Sequence, residues 1–387
     1  MLFRPLLLFS ATSVAVVTAQ FETLRFPCSQ LVTERLDPLV TPGQVSPHLH
    51  QIIGGNAFNI TMDPATDIGI TSTCTTCRFK EDKSNYWTMV MYFKARNGSF
   101  IRVPQRANDG TGSPNGGMTI YYIRPRPPAK NLSVTIFPKG FRMRVGNPML
   151  RNVGWALTHP SVNQTTFRCW DGTGIGPGTP GVGALDTRWF PKGPCRGGMR
   201  TQIYFPSCWD GVHLDSADHE THMAHPIGTP GPEGSLMFGT DCPASHPVRT
   251  PLLFTETVWD TNRFNGAGMW PEDGSQPFVW SMGDPTGYGH HGDYVFGWEG
   301  DSLKRAMESQ RCMTSLPANC DALTLQTDAE INKCMLRTVV PEVTEGQYLN
   351  KLPGCNPIQS GPEPATAIPN CDAVSTTVST PRPTPQV

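Results

Sequence analysis

The 38 glycines and 38 prolines scattered through 387 residues are the tightest constraint on what this chain can become. Proline inside a helix removes a hydrogen bond and clashes with the preceding turn, and glycine there carries an entropic cost. A chain punctuated so densely is loop-rich and is not a helical bundle. The apolar stretches between the breaks are short and rich in aromatic and β-branched residues: Tyr86–Phe93, Phe100–Val103, Met118–Ile123, Val134–Phe137, Arg200–Phe205, Leu252–Trp259 and Phe278–Ser281. Bounded by turn clusters, each reads as a strand. Helical periodicity comes late, with Asp301 capping a segment through Arg311 and Asp328 a second through Leu336. The expected fold class is mainly β: a β-sandwich or jelly-roll-like body with long loops and a few short helices, stapled by disulfides.

The staples imply an oxidising compartment. Residues 1–19 carry one basic residue, an apolar run and the small residues Val17-Thr18-Ala19, which reads as a signal peptide with the mature chain starting at Gln20. The 12 cysteines can then pair. Cys74-Thr75-Thr76-Cys77 is read as structural, bonded internally or to distant partners. Residues 20–312 form the β-rich body and 313–371 a cysteine-rich C-terminal extension. Cys312, Cys320, Cys334, Cys355 and Cys371 are odd in number, so one of them bonds back to the body or stays free. Pro357 to Val387, rich in Pro, Thr and Ser, reads as a linker or O-glycosylated tail that need not fold, with 372–387 as a disordered tail. Sequons at Asn59, Asn97, Asn131 and Asn163 mark exposed positions if used. A net charge of −1 without a basic run excludes nucleic acid and anionic membranes as partners, and no later segment is long and apolar enough to span a bilayer. The chain is read as a secreted monomer, extracellular or in the cell wall.

Three short polar segments hold 8 of the 10 histidines, while His159 and His246, each followed by proline, lie outside them and read as structural. His48 and His50 stand at i and i+2, so on a strand both rings face the same side. In DGVHLDSADHETHMAHP, Asp210, Asp215 and Asp218 precede His219, His222 and His225. Asp215 and His219 meet if the segment is helical, and they can still converge if it is irregular. In GYGHHGDY the adjacent His290 and His291 point to opposite faces, one toward a site and one structural, with Asp293 following. Tyr288, Tyr294, Trp280 and Trp298 offer flat faces for sugar stacking or simply pack the core, and Trp209 adjoins the central segment. Cys208 and Cys242 would pin the loops. A divalent metal on His48, His50, His219 and His222 is one reading of these side chains and a structural network of His–Asp hydrogen bonds is the other; HExxH spacing is absent, and no cofactor is assigned. GxSxG, GxGxxG and GxxxxGK[ST] are absent too, which removes α/β-hydrolase and nucleotide chemistry.

The motifs ERLDPLVTPG, HLHQIIGGNAF, CTTC-x4-DKSNYW, FPKGFRM, FPSCWDGVHLDSADHETHMAHP, CPASHPV and GDPTGYGHHGDYVFGW resemble the fungal secreted family catalogued as domain of unknown function 1996. The resemblance covers about Phe26 to Cys312 and implies a fungal origin and an extracellular or cell-wall location, with no settled activity.

From the residues themselves, the expectation is a carbohydrate-active hydrolase acting on a cell-wall glycan. Two of Asp210, Asp215, Asp218 and Asp293 would serve as acid and base, assisted by His50, His219, His222, His290 or His291, while His48, Trp209, Tyr288 and Tyr294 bind substrate. A lyase on the same site would need a cation for a uronate carboxylate, for which Arg142 and Arg144 could reach across. A non-catalytic glycan-binding wall protein is the third reading.

Overall fold

Side chains two apart on a strand share a face, and the longest strands use this to build one dry layer. Leu24, Phe26 and Cys28 alternate along Thr23–Cys28, and Met118, Ile120 and Tyr122 along its antiparallel neighbour Met118–Ile123. The computed structural model describes residues 22–107, 115–125, 133–152, 154, 164–170, 186–228, 241–354 and 356–368. The expected signal peptide, Asn131, Asn163, His159, Cys355, Cys371 and the tail 372–387 lie outside them.

One antiparallel sheet runs in the order Thr23–Cys28, Met118–Ile123, Leu252–Trp259, Met199–Tyr204, Thr165–Cys169 and Asp186–Thr187, with Gln105–Arg106 also paired to Leu252–Trp259. A second runs Gln30–Leu36, Val45–Gly54, Asn85–Met89, His291–Val295 and Arg142–Gly146. Ile53, Tyr86, Met143, Val145 and Tyr294 of the second share one buried cluster with Leu24, Phe26, Ile120, Ile203 and Leu253 of the first. The two sheets are therefore the halves of a sandwich. The sheets approach closely at Gly292, where a Cβ would lie 2.6 Å from Ile203 Cδ1 and would push that side-chain end aside. Two three-stranded sheets complete the mainly β fold.

Met118–Ile123 and Leu252–Trp259 are strands over the expected residues. Tyr86–Phe93 is broken into Asn85–Met89 and Met91–Lys94, which enter different sheets. Val134–Phe137 is not a strand, and Thr135 N instead donates to Arg249 O. The late helices are Ser302–Glu308 and Asp328–Lys333. Thr327, not Asp328, caps the second, in a reciprocal box with Glu330.

Among the described residues, five disulfides join Cys28–Cys77, Cys74–Cys334, Cys169–Cys195, Cys208–Cys242 and Cys312–Cys320. Cys74 and Cys77 thus take distant partners, and among the described extension cysteines Cys334 returns to the body. The extension adds no separate core: Ile331, Val339 and Val340 complete an apolar cluster with Leu31, Ile52 and Trp87. Residues 356–368 also dock, which corrects the expectation that the chain need not fold from Pro357 onward. Gln359 N donates to Gly283 O, Arg151 Nε to Gln359 O, and Ala365 N to Met149 O.

A chain of hydroxyls crosses the sandwich core. Tyr86 Oη donates to Asp82 Oδ2 at 2.9 Å, and the Tyr122 hydroxyl lies 2.7 Å from that of Tyr86 and 3.0 Å from that of Tyr294. Burial raises the Asp82 carboxyl from 3.8 to about 7, against hydrogen bonds from Ser84 and Tyr86 that lower it. Between about pH 4 and 7 the folded chain keeps a proton that the unfolded chain has lost, so this group's stabilising contribution is complete in acid and is lost as pH rises through that window. Asp82→Asn imitates the neutral acid. The variant should show a flatter dependence of melting temperature on pH and melt above the wild type at pH 8. Parallel curves for the two proteins would refute this.

Candidate functional site

Register decides what the outer face of the second sheet carries. Ile53, Tyr86, Tyr294 and Met143 form a cross-strand row facing the sandwich core, so the next row, Ile52, Trp87, Asp293 and Arg144, faces away from it. His50 and His48 continue this outer face along Val45–Gly54, and His291 does so two residues before Asp293. The first and third histidine segments thereby meet. His48 Nε2 lies 3.1 Å from His291 Nε2, and the ring centroids are 4.3 Å apart for His48 and His50 and 5.9 Å for His50 and His291.

The other ring nitrogens fix the tautomers. His50 Nδ1 is 3.0 Å from Leu36 O and His291 Nδ1 is 2.8 Å from Gly289 O. A carbonyl only accepts, so both Nδ1 atoms carry hydrogen and both Nε2 atoms present lone pairs. His50 Nε2 is buried without a partner, and so is Asp293 Oδ2. Asp37, in the turn after Gln30–Leu36, completes the cluster: one oxygen of Asp37, one of Asp293 and a His50 nitrogen all lie within 4.8 Å of one another. Asp37 Oδ1 accepts from Leu39 N and Val40 N, each at 3.1 Å. Each buried, unmet polar atom costs about 1–3 kcal/mol, so this face is held against stability.

Electrostatics follow from that burial. Burial pushes His50 and His291 down to about 3, with the His50 charge adding to the effect on His291, and it holds His48 well below its ordinary value. The imidazoles are therefore neutral near pH 7. Burial raises Asp37, and burial together with Asp37 raises Asp293. Arg144, paired in register with Asp293, opposes both shifts.

The central segment is irregular and closes on the same face. Arg144 Nε donates to Glu220 Oε1 at 2.9 Å, and Arg144 N to His219 O. Asp215 still meets His219 Nδ1 at 2.7 Å. Most other side chains of the segment hold the loop itself. Asp218 Oδ1 accepts from Glu220 N, Thr221 N, Thr221 Oγ1 and Ser216 Oγ, which keeps its carboxyl well below the usual range. Asp210 binds Val212 N, His213 N and the His213 ring, and lies at about 2 although its modest burial acts the other way. Both nitrogens of His222 are engaged, by Ser216 Oγ and Arg142 O. Both ring nitrogens of His222 thus face protein atoms, and His219 does not join the three clustered imidazoles. Cys208–Cys242 pins this loop.

Alternatives that the sequence left open are decided here, and Tyr294 is corrected. His290 turns inward and stacks on Trp280 at 5.2 Å, so His291 is the member of the pair that faces the site. Tyr294, Trp280 and Trp298 are fully buried and cannot stack a sugar. Tyr288 is half-buried and sits 6.3 Å from Trp189, which is 38% exposed. Trp209 is half-buried, its indole donating to His213 O. The sequence reading missed Asp37, Glu220 and Trp189, and Asp37 was in view within ERLDPLVTPG.

Residues 37–298 match a family model described as a domain of unknown function (DUF1996), a span that includes the whole cluster from Asp37 to Asp293. No curated protein and no solved structure matches the chain.

Proposed function

The chain belongs to the DUF1996 family, and we propose that it is a secreted fungal carbohydrate-active enzyme that hydrolyses a cell-wall polysaccharide at the histidine–aspartate cluster. The observation that carries this reading is the cluster itself: His48, His50, His291, Asp37 and Asp293 are brought together from distant segments and buried with acceptor atoms unmet. Ionisable groups held at such cost concentrate where chemistry is done. The Asp37 and Asp293 oxygens are within 4.8 Å, nearer the separation of about 5–5.5 Å typical of a nucleophile and its acid partner than the wider gap that admits a water. Most of the cluster's remaining exposure belongs to His48, His291 and Asp37, at 8%, 6% and 5%, so substrate would approach from that side. Trp189 and Tyr288, three residues before His291, supply a partly exposed aromatic pair of the kind sugars stack on. Five disulfides suit an extracellular protein.

Arg144 favours a second reading, a lyase in which this guanidinium faces a uronate carboxylate and His291 takes the neighbouring proton. One assay separates the readings. The purified chain is incubated with fungal and plant wall glycans, and new reducing ends and unsaturated uronates are measured together. Reducing ends without unsaturation are expected. Unsaturated products would establish the lyase, and binding without cleavage would establish a wall-binding protein.

A further inference from the structure

We propose that His48, His50 and His291 together hold one divalent transition-metal cation through their Nε2 atoms. The cluster's geometry carries the inference. Ligand atoms of all three side chains lie within 4.8 Å of one another. Nitrogens about 2.0–2.1 Å from a zinc-sized cation are separated by about 2.9 Å at right angles and about 3.3 Å at the tetrahedral angle. The 3.1 Å between His48 Nε2 and His291 Nε2 falls between those limits.

The surrounding hydrogen bonds agree. Histidines that bind metals characteristically donate their other ring N–H to a carbonyl or carboxylate, which fixes tautomer and orientation. Leu36 O and Gly289 O do this for His50 and His291. The competing arrangement, a hydrogen bond from His48 Nε2 to His291 Nε2, leaves the His50 Nε2 lone pair buried without a partner. A cation satisfies all three nitrogens at once.

The donor set also indicates the class of ion. Neutral imidazoles suit zinc, copper, iron or nickel, whereas calcium and magnesium prefer oxygen. Three protein ligands leave a fourth position, as in catalytic zinc sites rather than closed structural ones. Asp293 stands outside this group of three and meets His50 in the adjoining group with Asp37, each offering an atom within 4.8 Å of the others.

The inference goes beyond the hydrolase reading and does not require it, because binding is measurable without a substrate. Tag-free protein is stripped with a chelator, dialysed and titrated calorimetrically with Zn²⁺, and Co²⁺ substitution is followed by its visible bands. One equivalent is expected to bind, with nitrogen-ligated Co²⁺ spectra. His50→Gln and His291→Gln should each weaken Zn²⁺ binding by at least about a hundredfold. His246→Gln, outside the cluster, should bind as the wild type does. Should a buried variant fail to fold, His48→Gln at the rim provides the same comparison, since no ring bond from His48 to the backbone is lost. Absence of stoichiometric binding at micromolar protein overturns the proposal, as does wild-type affinity in folded cluster variants. Glycan cleavage by a protein that binds no Zn²⁺ would leave the hydrolase standing while the metal fails. Tight binding without cleavage on any glycan would do the reverse.

Discussion

A chain cut after residue 298, where the family match stops, will not fold. The residues beyond it close three apolar clusters rather than decorate a finished domain. Leu303, Ala306, Met307 and Met313 lie in the sandwich core with Phe26 and Tyr122. Ile331, Val339 and Val340 cover Ile52 and Trp87 on the outer face of the second sheet, and Leu352 packs with Leu49 and Phe278. Burial of one large aliphatic side chain contributes about 1.5–3 kcal/mol, while a whole domain is stable by only about 5–15 kcal/mol. Losing these residues together exceeds that margin. The cut also removes Cys334, the partner of Cys74, a linkage of a kind generally worth about 2–4 kcal/mol. Secreted expression of residues 20–298 beside the full chain tests this by thermal melting and hydrogen exchange. A cooperative melt within a few degrees of the full chain would show that the match alone folds.

What the sequence disclosed depended on whether a feature was local. Met118–Ile123 and Leu252–Trp259 were legible because turn residues bound them and their side chains suit a pleated, buried surface. Thr23–Cys28, Val45–Gly54, Arg142–Gly146 and His291–Val295 were missed, since proline, histidine, arginine and glycine interrupt their apolar patterns. Those interruptions are where the cluster lies. The shared side of His48 and His50 and the opposed sides of His290 and His291 follow from the period of two, so they could be stated in advance. The choice of His291 could not, because it depends on Gly292 meeting Ile203 of the opposite sheet. Asp37 stood within a quoted motif, but nothing local marked it out, for a similar reason. It is a lone carboxylate before a proline, and only the pairing of Gln30–Leu36 with Val45–Gly54 brings it to His50. The density of carboxylates in the central segment pointed instead to Asp215 and Asp218, although much of that density serves turns.

Asp37→Asn and Asp293→Asn should each lower the rate of glycan cleavage by about a hundredfold or more, the usual contribution of a positioned acid or base. Asn preserves the shape of either side chain and removes its ability to exchange a proton or attack. Both groups are buried beside each other, so neutralising one relieves a repulsion and a desolvation cost. The melting temperature of these variants should therefore hold or rise while activity falls. Such opposed responses mark a chemical role, because a structural carboxylate loses both together. Asp218→Asn is the contrast: its Oδ1 accepts four hydrogen bonds within residues 216–221, all of which an amide oxygen can accept. Asp215→Asn weakens the contact with His219 and the longer pairing, at 4.0 Å, with Arg142. Both loop variants should retain activity in proportion to their folded fraction. The measurement is kcat on the most active glycan for all four variants, each beside its thermal melt. A hundredfold loss in Asp218→Asn with an unchanged melt would move the chemistry to the central loop, and full activity in Asp293→Asn would remove the cluster from the reaction.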